Sequence, residues 1–171
     1  MDITNVRSFV AYWQRIHERT ERVIAAIPPQ QYDWRPTDDA FSFADLIRHL
    51  AAIERFMFAE NVCGRWSTYP GHGSELADGV NDVLQYYRVM HDEAVALVSQ
   101  LSDADLQLAC TTPGGASMTR AKWLRAMIEH EVHHRGQIYL MLKLTGVPSP
   151  PLYGLTSEQV RENSRAVDAP Q

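Results

Sequence analysis

A chain of 171 residues, 45% hydrophobic and 22% charged, has the composition of a single globular domain large enough to bury its own core. A net charge of −5 offers no basic face for nucleic acid, and no apolar run approaches the roughly 18 residues that span a bilayer. The N-terminus has an early Asp2 and no signal-peptide pattern, and two cysteines, Cys63 and Cys110, are too few for a disulfide framework, so a reduced, cytoplasmic protein is expected.

Four segments carry helical periodicity. The first runs from about Asn5 to Ile27, with Thr4 as a candidate cap, a stripe through Phe9, Trp13, Ile16 and Val23, and Pro28-Pro29 to stop it. The second runs from about Phe43 to Cys63, with Ser42 as cap, Asp45 in the first turn and Gly64 beyond the end. The third spans about Val80 to Leu101, and the fourth about Thr119 to Leu144, ended by Gly146 and Pro148. Long loops, residues 28–41, 64–79 and 102–118, join them, and loops of that length are often functional. No segment shows the strict alternation of a strand. The expected fold is all-α: a four-helix bundle over residues 1–150, followed by a Pro-rich polar tail over 151–171. One helical turn is expected near Ser157 to Asn163, and residues 168–171 are expected to be loose.

Seven histidines ask for an explanation. On a wheel of about 100° per residue, the apolar face of the fourth helix contains Trp123, Leu124, Met127, Ile128, Ile138, Met141 and Leu142. His134 falls near its centre and His130 roughly 40° to one side, while His133 lies nearer the solvent boundary. A single inward histidine is usually a core residue with a hydrogen-bond partner. Two of them one turn apart crowd polar rings into an apolar stripe, a cost that a shared metal ion removes. His49, on the flank of the second helix's apolar face, supplies a third nitrogen and leaves a position open for water or substrate. His17 and His91 each stand alone on their helices and read as buried, hydrogen-bonded histidines. His72, in a loop, receives no role.

The pattern His130-x-x-His133-His134-Arg135-Gly136-Gln137, preceded by Asp45-Leu46-x-x-His49-Leu50, resembles the DinB/YfiT-like superfamily over most of the chain. The resemblance implies a bundle of unusual connectivity, often dimeric. It also implies one divalent metal, usually zinc or nickel, held by residues that here are His49, His130 and His134. Relatives include metal-dependent S-transferases that activate a low-molecular-weight thiol.

The implied function is a thiol-dependent transferase, or a hydrolase using water, acting on a small electrophile. The alternative is a non-catalytic, metal-stabilised stress-response or binding bundle. His130-Glu131-x-x-His134 also matches the short zinc-peptidase signature, but Gln137 and Leu140 stand where its longer form has Gly and His. Glu131, on the inward side, is a candidate proton acceptor or outer partner of a ligating ring, with an ion pair to Arg135 as the other reading. Gly136 in mid-helix, near Leu140, suggests close approach by another segment or a second copy, hence a homodimer.

Overall fold

The computed structural model describes residues 3–165, so the expectation for residues 168–171 lies outside the described residues. The chain folds as α1 (Val6–Ile24), α2 (Phe43–Ile53) continuing through a π-helical turn (Glu54–Phe58) into α3 (Ala59–Val62), α4 (Val80–Val98), α5 (Arg120–Leu144) and α6 (Ser157–Arg165). Among the described residues no helix is long and apolar enough to cross a membrane.

Local chemistry explains most boundaries. Asn5, not Thr4, caps α1, its side chain accepting from the Ser8 N–H. Ser42 and Asp45 form a reciprocal capping box at the start of α2. Thr119 caps α5 through the Lys122 N–H, and Gly64 and Gly146 take the positive φ that ends their helices.

Two features depart from the sequence reading. The second helix is one run interrupted by a π turn, which advances the phase of everything beyond it. The 102–118 loop contains a small antiparallel hairpin, β1 (Ala109–Thr111) with β2 (Ser117–Thr119), pairing Cys110 with Met118. Three-residue strands are too short for alternation to register.

α2 packs on α4 and α1 on α5, and α2–α5 and α1–α4 contacts close the ring. The interior divides into two apolar clusters. One is built around Val23, Ile24, Phe43, Ile47, Val83, Ile138 and Leu142, the other around Phe9, Trp13, Ile16, Val62, Val98, Leu124 and Met127. Between them every long helix contributes buried polar residues: His17 and Thr20 from α1, Glu54 from the π turn, His91 from α4, and Glu131 and Arg135 from α5. Among the described residues, and setting aside the adjoining backbone of α5 itself, nothing lies within 4 Å of where a Cβ would stand at Gly136, so no other described segment covers it.

Candidate metal centre

α2 and α5 lie side by side, and their facing surfaces carry His49 on the first and His130 and His134, one turn apart, on the second. The three half-buried rings converge. His130 Nε2 lies 3.1 Å from His49 Nε2 and 3.1 Å from His134 Nε2. The ring planes meet at 51° (His49–His130), 70° (His130–His134) and 78° (His49–His134).

Hydrogen bonding alone cannot satisfy this arrangement. The carbonyl oxygen of Gln137 sits 2.7 Å from His134 Nδ1 and can only accept, which places the His134 proton on Nδ1 and leaves Nε2 a bare lone pair. His130 Nε2 has one in-plane site and two nitrogen neighbours, so at least one contact pairs lone pairs or shares a proton poorly. A cation held among the three Nε2 atoms removes that conflict, and the residues present fit one.

Electrostatics prepare the same donors. Burial, then the neighbouring His134 and His72 rings, lower His49 to about 4. Burial, then His134, His49 and His133, lower His130 to about 3. His134 is lowered as well, by burial first, against the opposing Gln137 bond. Neutral imidazole is the form that ligates.

The outer nitrogens have partners of their own. His49 Nδ1 is 2.8 Å from the Tyr69 hydroxyl, which also lies 3.4 Å from His72 Nδ1. Gln137 continues to His133 Nε2 at 3.2 Å. Phe41 packs against His49 and His72, and Phe58, at the end of the π turn, against His130. The 64–79 loop is fastened over the site by the buried Arg48. Its guanidinium donates to the carbonyl oxygens of His72 (2.8 Å) and Ala77 (3.0 Å) and to Asp45 Oδ1 (2.7 Å). On sequence alone, Tyr69 stands only within one of the long loops and Arg48 has no role. Their only signal is the i, i+3 spacing of Asp45 and Arg48 beside a long loop.

Glu131 requires a correction. Its Oε1 accepts from the Thr20 hydroxyl of α1 at 2.6 Å, and its carboxylate is not among the donors that converge with His49, His130 and His134. Burial, then the charge of Glu54, raises its carboxyl to about 7. Among the described residues no hydrogen bond joins Glu131 to any of the three rings. Arg135 shares Thr20 with it, reaching that hydroxyl at 3.5 Å and the Ile16 carbonyl at 3.3 Å.

His17 and His91 do not stand alone either. With Glu54 they form a second cluster whose donor atoms fall within 4.8 Å of one another. Here, however, the two rings stack, centroids 3.5 Å apart and planes only 11° from parallel. An imidazole lone pair lies in its ring plane, and two parallel planes that far apart cannot both contain one ion. The cluster reads instead as a buried ion pair. His91 Nδ1 lies 2.8 Å from Glu54 Oε1, and Trp13 Nε1 donates to Glu54 Oε2 at 3.2 Å. Burial lowers His91, but the bond to Glu54 and its charge outweigh that and hold His91 above its usual value. Burial, then His91, pushes His17 down to about 2.

Comparison with known proteins agrees with this architecture. The chain is 24% identical over 138 residues, 78% of this chain and 86% of the relative, to YjoA of Bacillus subtilis (strain 168), which is described as an uncharacterized protein. It superimposes on the crystal structure of a DinB-like protein from Bacillus cereus ATCC 10987 with a TM-score of 0.69 at 18% identity, covering 86% of this chain and 97% of that one. For the DinB-like YjoA from Bacillus subtilis the TM-score is 0.68 at 20% identity, covering 84% and 95%. The DinB family matches residues 1–165, and with this fold the chain belongs to the DinB family.

Proposed function

We propose that this protein binds one divalent metal, zinc or nickel, through His49, His130 and His134, and uses it to act on a small electrophile. The observation that carries the reading is the convergence of three Nε2 atoms, 3.1 Å apart in two pairs, from two separate helices. When bound, the cation supplies Lewis acidity, lowering the pKa of a thiol or water so that a nucleophile exists near neutral pH. The chain's own residues do the rest. Three neutral imidazoles leave the cation's charge undiminished, and three protein donors leave room for a further ligand. The Tyr69 hydroxyl and the Gln137 carbonyl oxygen lie against the outer nitrogens of His49 and His134, and Phe41 and Phe58 provide apolar walls beside the rings.

A low-molecular-weight thiol as nucleophile makes the protein an S-transferase; water makes it a hydrolase. The motif shared with thiol-using relatives favours the first. The non-catalytic alternative has no observation of its own in its favour. A homodimer belongs to the same reading, through the α5 stripe of Val132, Gly136, Leu140 and Leu144, where Leu140 is 58% and Leu144 61% exposed.

The test is elemental analysis of purified wild type beside His49→Ala, His130→Ala and His134→Ala, followed by a screen of several thiols against model electrophiles. One equivalent of metal in wild type, lost in all three variants, and turnover with at least one thiol support the reading. Unchanged metal in any variant removes that residue, and no turnover with any thiol leaves hydrolysis to be assayed instead.

A further inference from the structure

The 64–79 loop is held more firmly than a connection between helices requires. Two bonds from the buried Arg48 guanidinium fasten it to α2, a third ties the same guanidinium back to Asp45, and Arg48 is the residue next to His49 in the chain. The capping box at Ser42 and Asp45 fixes that end of α2, and Asp45 in turn holds Arg48, so loop, cap and helix form one unit. What the fastening positions is Tyr69. Its hydroxyl stands 2.8 Å from His49 Nδ1 and 3.4 Å from His72 Nδ1, with the Tyr69 ring nearly perpendicular to that of His49, at 88°.

We propose that Tyr69, held in place through Arg48, is the positioning residue for the metal site: its hydroxyl oxygen accepts the His49 Nδ1–H and so turns the His49 Nε2 lone pair toward His130 and His134. The inference rests on the metal reading above and extends it to the loop. A hydroxyl suits the place, because it accepts from His49 through oxygen and still has its own proton to donate to His72 Nδ1. Of the two α5 rings, His134 receives the equivalent service within its own helix, from Gln137 at i+3. His49 has no such neighbour on α2 and draws its partner from the loop. Ligating histidines are commonly oriented in this way, and removal of the outer partner lowers metal affinity by about 10–100-fold.

The experiment measures zinc affinity by chelator competition, and the visible spectrum with cobalt in place of zinc, for full-length wild type, Tyr69→Phe, Arg48→Ala and the double variant. Tyr69→Phe is expected to bind at least about 10-fold more weakly, with an altered cobalt spectrum and an unchanged melting temperature for the metal-free protein. Arg48→Ala is expected to weaken binding too, and the double variant no more than Tyr69→Phe alone, because both act through one contact. Affinity for Tyr69→Phe within about twofold of wild type, far less than loss of an outer partner costs, overturns the proposal while leaving the three-histidine site intact. A wild type that binds no metal overturns the reading beneath it, and this proposal with it. If Tyr69→Phe does not fold, the wild type decides: in zinc-loaded protein the His49 Nδ1–H should give a slowly exchanging NMR resonance, and a rapidly exchanging or absent one contradicts the contact.

Discussion

Two clusters of histidines sit in this bundle, and they differ in the angle between their rings. At the α2–α5 face, three rings meet at 51° to 78° with their Nε2 atoms together; in the interior, His17 and His91 lie 11° from parallel. Proximity of donors is the same kind of fact in both places, and it does not separate them. Direction does, because a lone pair is confined to its ring plane. The interior pair also has what, among the described residues, the surface trio lacks, a carboxylate within hydrogen-bond reach: Glu54 gives His91 a reason to carry a proton. One cluster keeps its rings neutral and their lone pairs free. The other stores a buried charge between two apolar cores.

The largest expected effect of that difference is on stability. Replacing His91 by Ala leaves Glu54 buried without its charged partner, with only the Trp13 N–H still donating to it, and should cost about 3–5 kcal/mol, read as a lower midpoint in urea unfolding. His130→Ala should leave the metal-free protein near wild-type stability. It should, however, abolish the gain of about 2.7 kcal/mol that a metal at one hundred times its Kd confers on wild type.

The interior pair should also respond to pH in two opposite senses. His17 is held far below its unfolded value, so the unfolded chain takes up a proton below about 6.5 that the folded chain refuses, and stability falls as pH drops through that range. His91 is held above its unfolded value; its contribution is complete below that value and is lost as pH rises through the raised one. Unfolding midpoints followed from about pH 4 to about pH 9 should therefore show a shallower acid decline in His17→Gln and a shallower alkaline decline in His91→Gln. Identical slopes in wild type and both variants would dissolve the distinction between the clusters.

How far the sequence carried this picture varies from residue to residue. The bundle was legible because long amphipathic stripes and caps such as Ser42 are local signals. His130 and His134 could be paired on a wheel, since four residues on one helix share a face. Three things were not legible. The pairing of His17 with His91 joins helices more than seventy residues apart in sequence, and no periodicity reports it. The inward side of α5 faces two neighbours, α1 and α2, and the wheel cannot say which one Glu131 meets; it meets Thr20 of α1. The π turn at Glu54–Phe58 shifts the helical phase by one residue, so an ideal wheel misplaces the residues that follow it, Phe58 among them.

The smallest expected effect sharpens the surface cluster alone. Gln137→Ala removes the acceptor of His134 Nδ1–H and should weaken metal binding by about 10-fold with no change in metal-free stability. A change in stability without a change in affinity would make Gln137 part of the helix surface and nothing more.

The most direct measurement is metal content, by mass spectrometry, of wild type, His49→Ala, His130→Ala, His134→Ala, His17→Ala and His91→Ala purified side by side and reloaded with zinc. The expected result is one equivalent in wild type and in folded His17 and His91 variants, and none in the other three. Two equivalents in wild type with one lost on changing His17 or His91, or full retention after losing His49, would contradict the claim that ring direction decides which cluster holds the ion.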